Sequence, residues 1–129
     1  MYECSAEGDG YEEKLVFPDA DLPPMLNNLD LPGHESVIVL NPNGEDASVT
    51  LTLYFTDKDP IDLPAFEVKA GRVVCVRNME GKGILGTDIP VGEQYAISVA
   101  STVEVIAQYG RLDMRSGPMA FYTTPGYAE

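Results

Sequence analysis

The chain reads as all-β: an antiparallel β-sandwich of about seven to eight short strands with little helix. Three observations predict it. Val49, Leu51, Leu53 and Phe55 alternate with Ser48, Thr50, Thr52 and Tyr54, the period of two expected of a strand with one buried and one wet face. Apolar runs recur at even, short spacing between clusters of turn-forming residues. Pro18, Pro23, Pro24 and Pro32 interrupt the early chain, where a helix would need unbroken backbone donors.

The elements follow in order. Lys14 to Phe17 fits a short strand, and one helical turn fits after Asp21. Ser36 to Leu40 and Val49 to Phe55 are strands joined by Asn41-Pro42-Asn43-Gly44-Glu45-Asp46. Those six residues tolerate turn geometry, so the pair is expected to be a hairpin. Ala65 to Lys69 and Arg72 to Arg77 predict a second hairpin, turning at Ala70-Gly71. A flexible glycine-rich loop runs from Asn78 to Gly92. Tyr95 to Ala100, Val103 to Tyr109 and Ala120 to Thr123 complete the set. Val49, Leu51, Leu53, Phe55, Ile97, Val99, Val103 and Val105 are the expected core.

At 129 residues the chain forms one sandwich domain, with residues 1–33 an acidic, proline-rich segment packed on it. Eight basic against 21 acidic residues give a net charge of −13. That argues against a nucleic-acid partner, which needs clustered Lys and Arg to neutralise phosphate, and equally against an anionic membrane surface. The N-terminus has neither the basic nor the apolar region of a secretory signal, and no apolar run reaches spanning length. Cys4 and Cys75 therefore read as reduced thiols in a cytoplasmic protein, a single disulfide remaining open.

Most chemical motifs dissolve on inspection. Gly81-Lys82-Gly83-Ile84-Leu85-Gly86 matches G-x-G-x-x-G, but Pro90 and Gly92 oppose the helix that a pyrophosphate would need. His34 is the only histidine, so a multi-histidine metal site is impossible. Glu12, Glu13, Asp19 and Asp21 lack calcium-loop spacing. A serine triad with Ser36, Ser98 or Ser101 has no nucleophile elbow to support it. Nothing specifies catalysis, a metal or a cofactor.

Arg111-Leu112-Asp113-Met114-Arg115 is different. An extended chain puts Arg111, Asp113 and Arg115 on one face. In phase with Val105, Ala107 and Tyr109 they would enter the sandwich unless Gly110 resets the register with a bulge. Charges in such a place either pair with one another or face a ligand.

His34-Glu35, the strand ending Leu40-Asn41, Tyr54, Asp57-Lys58-x-Pro60, Val76-Arg77-Asn78 and Gln108-x-x-Arg111-Leu112-Asp113-x-Arg115 occur in an order that resembles the sensory rhodopsin transducer family. The likeness spans about residues 34 to 115. It implies a small soluble β-sandwich, a homotetramer, a sugar or related metabolite as ligand, and a membrane photoreceptor such as a sensory rhodopsin, or another signalling protein, as partner. The chain has no tryptophan, whereas the family's first strand typically carries one.

On that basis the expected ligand set is His34, Glu35, Asn41, Asp57, Arg77, Gln108, Arg111 and Asp113 as polar lining, with Tyr54 as a stacking face. The expected function is non-enzymatic binding of a small polar metabolite and relay of the bound state. The alternative is a structural or adaptor oligomer with no small-molecule ligand.

Overall fold

A computed structural model describes residues 13–25, 32–113, 120–125 and 127–128. The elements are β1 (Glu13–Asp21), β2 (His34–Asn41), β3 (Ala47–Phe55), β4 (Ile61–Asp62), β5 (Phe66–Val68), β6 (Arg72–Asn78), β7 (Gln94–Ser101), β8 (Ile106–Asp113), β9 (Ala120–Pro125) and β10 (Tyr127–Ala128), with no helix among the described residues. They form two antiparallel sheets. One runs β10-β1-β7-β3-β4, with β5 also on β3, and the other runs β6-β2-β8-β9. The all-β sandwich is the fold that strand alternation predicts.

The core lies between the sheets. Leu15 and Phe17 of β1, Val49, Leu51 and Leu53 of β3, and Ile97 and Val99 of β7 face Val37 and Val39 of β2 and Ala107 and Tyr109 of β8, all buried. Burial of this apolar surface is the main force holding the layers together. Phe55 and Val103, expected inside, are half-buried and pack against the rim of this core.

Both expected hairpins are corrected. β2 pairs with β6 and β8, whereas β3 pairs with β4, β5 and β7, so residues 41–46 carry the chain from one sheet to the other. Likewise β5 pairs with β3 and β6 with β2, so Gly71 (φ +67°) turns a crossing between sheets. Alternation says only that each strand has one buried face. Two such faces can lie side by side in one sheet or oppose one another across a core, and here they oppose.

Asn41 organises this end of the molecule. Its Nδ2 donates to the carbonyls of Glu45 (2.8 Å) and Val68 (3.0 Å), and its Oδ1 accepts from Asn43 N (3.0 Å) and Asn43 Nδ2 (2.9 Å). Asn43 Nδ2 also donates to the Glu104 carbonyl at 2.6 Å. Two crossings between sheets thus meet on one buried carboxamide with every polar position filled, and Asn43 joins the third to them.

Other boundaries shift for local reasons. β1 extends to Asp21 despite Pro18, with a register irregularity between Phe17 and Ala20. Proline has no N–H for the ladder and is accommodated at such a bulge. β8 begins at Ile106 rather than Val103, because residues 102–105 make another crossing. After Asp21, residues 22–25 are not helical, and residues 26–31 lie outside the described set, as does Cys4. Cys75 is a free, exposed thiol.

The stretch expected as a flexible loop is two hydrogen-bonded turns. Gly83 N donates to Met79 O (3.0 Å), and Ile84 and Thr87 exchange backbone bonds at 2.8 and 2.9 Å. Ile84 is anchored in the core at 1% exposure. Gly92 N donates to Leu22 O (3.0 Å) and Met25 N to Glu80 Oε1 (3.1 Å), so this loop and residues 22–25 are tied together.

Candidate functional site

Polar residues gather in two places on the β6-β2-β8-β9 sheet, one on each face. The inner set centres on Glu35, 1% exposed. Its Oε1 accepts from Asn78 Nδ2 (2.8 Å) and Tyr95 Oη (2.5 Å), and its Oε2 accepts from Asp21 N (3.1 Å) and Tyr109 Oη. Four donors thus converge on one carboxylate from β1, β6, β7 and β8. Such saturation is what makes a buried charge tolerable. Asn78 Nδ2 also donates to Tyr95 Oη (3.2 Å), while Asn78 Oδ1 is buried without a hydrogen-bond partner among the described residues.

The two phenols are held protonated. Burial raises the pKa of Tyr95 most, followed by the negative charge of Glu35 and its hydrogen bond. The same causes raise Tyr109, opposed in part by the positive charge of Arg111. Arg111 sits opposite Glu35 in the ladder and directs Nη1 to the Asp21 carbonyl at 3.5 Å. The β2–β8 register runs unbroken from Ile106 to Leu112, so Gly110 makes no bulge and Arg111 follows Tyr109 toward the inner face.

The outer face carries an open groove of about 500 Å³. Strand pairing lays its lining in rows. Arg77, Ser36, Gly110 and Thr123 are consecutive partners across β6, β2, β8 and β9. Cys75, Ile38 and Gln108 form the next row, and His34 lines one end. The small residues Ser36 and Gly110 keep the middle of the first row low between its longer ends. Arg77 and Gln108 are exposed and His34 is half-buried. The His34 ring donates from Nδ1 to the Pro32 carbonyl at 2.8 Å, since a carbonyl can only accept. Nε2 is then the ring's remaining polar atom. Alongside runs a second depression of about 260 Å³, floored by Ile38, Leu40, Val73 and Ile106.

The structure distributes the nine expected residues over several places. His34, Arg77 and Gln108 come together in the outer groove. Glu35 and Arg111 lie on the inner phase of the same sheet, and Asp113, half-buried, stands at the end of β8. Asn41 is seven residues from His34 along β2, about 23 Å at a strand's rise, with all its polar positions engaged at the sheet crossings. Tyr54 and Asp57 belong to the other sheet. Tyr54 Oη and Ser98 Oγ share a hydrogen bond at 3.3 Å, and Asp57 is exposed in the loop after β3.

Ser36, Ile38, Cys75, Gly110 and Thr123 line the groove although none was in the expected ligand set. A signal for the first three existed. Ser36 and Ile38 share the face of His34 by the period of two, as Cys75 shares that of Arg77. Tyr95 and Tyr109, the phenols on Glu35, looked like ordinary aromatic strand residues.

Together the fold and groove define a small antiparallel β-sandwich with a concavity on one outer face into which a few polar side chains converge. The chain belongs to the family of the Anabaena sensory rhodopsin transducer, whose sequence model matches residues 11–128. This agrees with the resemblance carried by the ordered motifs. A crystal structure of Thermotoga maritima 1070 is similar at TM-score 0.76 and 28% identity, covering 93% of this chain and 97% of that one. The Anabaena sensory rhodopsin transducer itself is similar at TM-score 0.61 and 28% identity, over 77% of this chain and 93% of that one. No curated protein matches in sequence.

Proposed function

We propose that this protein is a cytoplasmic, non-enzymatic transducer that binds a small polar metabolite, a sugar or a close relative, in the outer groove. It relays the bound state to another protein, such as a membrane photoreceptor. The observation that carries this reading is the convergence of His34, Arg77 and Gln108, distant in sequence, on one groove of about 500 Å³. That volume falls within the range of small-molecule sites. The partner class is supported by membership of a transducer family named for a rhodopsin partner.

The working form is a homotetramer. Leu40, Val73 and Ile106 are 38%, 59% and 41% exposed along the depression beside the groove, an apolar strip that association would cover. The same strip favours a second reading, an adaptor oligomer with no small-molecule ligand.

Melting the protein against a panel of neutral and acidic monosaccharides separates the two. A ligand at 100 times its dissociation constant adds about 2.7 kcal/mol of stability, and Arg77→Ala removes that gain. An unchanged melting temperature across the panel leaves the adaptor reading. Light scattering tests the tetramer separately.

A further inference from the structure

We propose that the groove selects a sugar bearing a single carboxylate over the corresponding neutral sugar, with Arg77 as the residue that reads the charge. This rests on the groove being the ligand site.

The first argument is local charge. The chain carries 21 acidic residues and eight basic ones, so a random patch of its surface repels an anion. The groove is the opposite. Its lining includes Arg77 and His34 and no Asp or Glu.

The second is the state of Arg77. Three of the chain's other cations have local partners: Lys69 binds Glu67 at 3.0 Å, Lys58 lies 4.4 Å over the Phe55 ring, and Arg72 donates to the Gly71 carbonyl at 3.2 Å. Arg77 makes no hydrogen bond or ion pair among the described residues, although carboxylates are abundant. Its planar fork is therefore available to a carboxylate, the group it matches through two parallel hydrogen bonds.

The third is the remainder of the lining. Ser36 and Thr123 offer hydroxyls in the same row as Arg77, Gln108 offers an amide, and His34 offers Nε2. These can exchange hydrogen bonds with ring hydroxyls, while Ile38 supplies an apolar floor for the C–H face of a sugar ring. The row from β6 to β9 crosses three strand spacings, about 14 Å, room for one monosaccharide with its acid at the Arg77 end. One guanidinium balances one carboxylate. A phosphate dianion would place two charges against one fixed cation in a strongly negative chain.

Titration calorimetry of the full chain tests this. Glucuronate, galacturonate and mannuronate are each compared with the matching neutral hexose, and glucose 6-phosphate with both. At least one acid is expected to bind tenfold or more tightly than its hexose, with affinity falling as salt is raised. Arg77→Gln is expected to abolish that preference without changing the melting temperature of the unliganded protein, and Arg77→Lys to restore part of it. Equal binding of acid and hexose, a preference that survives Arg77→Gln, or tighter binding of glucose 6-phosphate overturns the inference while leaving the groove as a sugar site. Binding of none of these sugars overturns both.

Discussion

The Tyr95 phenol on β7 reaches across the sandwich and donates to Glu35 Oε1 on β2 at 2.5 Å. Together with the Asp21 amide, it ties the two sheets through one buried carboxylate. Six residues along the same strand, Asn41 ties them through its carboxamide. β2 thus carries a polar clasp at each end of an apolar centre, Val37 and Val39.

Glu35→Gln turns an amide donor toward groups that are themselves donors. It is expected to cost at least about 3 kcal/mol, because several buried donors lose a charged acceptor. Tyr95→Phe removes one such bond and is expected to cost about 1.5–3 kcal/mol. Urea unfolding measures both; a loss below about 0.5 kcal/mol for Glu35→Gln would be no more than a surface substitution gives and would remove the clasp from the account.

Alkaline pH should unfold the protein through Tyr95 and Tyr109. Their folded pKa values are raised above the ordinary phenol value of 10.0. The stability they contribute is full below pH 10 and is lost above it, where the unfolded chain releases protons that the fold retains. The expected slope is about 1.4 kcal/mol per pH unit for each phenol. Absorbance of tyrosinate should show two of the seven tyrosines ionising only as the protein unfolds; all seven ionising in the native state near pH 10 would contradict the burial argument.

Two glycines in one loop separate backbone strain from crowding. Gly83 (φ +71°) and Gly86 (φ +85°) both take left-handed geometry, but a Cβ on Gly83 would collide with the Thr87 carbonyl, whereas one on Gly86 meets open space. Gly86→Ala is expected to cost about 1–2 kcal/mol. Gly83→Ala should cost clearly more, by thermal melts run side by side. Equal losses would show that the loop yields to the added methyl.

Arg77 and Arg111 should behave oppositely. Arg111 stands beside the Glu35 cluster and bears on Tyr109, so Arg111→Ala is expected to lower the melting temperature and leave groove binding intact. Arg77 is exposed, so Arg77→Ala should spare stability and abolish binding. Paired melts with and without an acidic sugar check both halves.

The fold was legible because alternation in β3 and β7 marks which side chains face the core. Partner choice was not. The turn residues after Asn41 and before Arg72 suit a tight reversal whether the chain re-enters its own sheet or crosses to the other. The inward phase of Arg111 followed from Ala107 and Tyr109, with Gly110 as the only point of doubt. The groove was only partly legible, since His34, Arg77 and Gln108 become neighbours through β2–β6 and β2–β8 pairing over long separations. Period-two reasoning places each on a face without saying which strands adjoin. Glu35 and Asn41 bond across the sheets, and buried polar residues with that task have the same composition as a polar site, so sequence alone does not separate the two roles.

The most direct test of the groove as the ligand site is amide chemical-shift mapping of the isotope-labelled protein titrated with acidic and neutral monosaccharides. The account predicts shifts concentrated at Ser36, Ile38, Arg77, Gln108, Gly110 and Thr123, with Tyr54, Asp57 and the Asn41 turn unmoved. Shifts centred on Tyr54 and Asp57, or no shifts with any sugar, would contradict it.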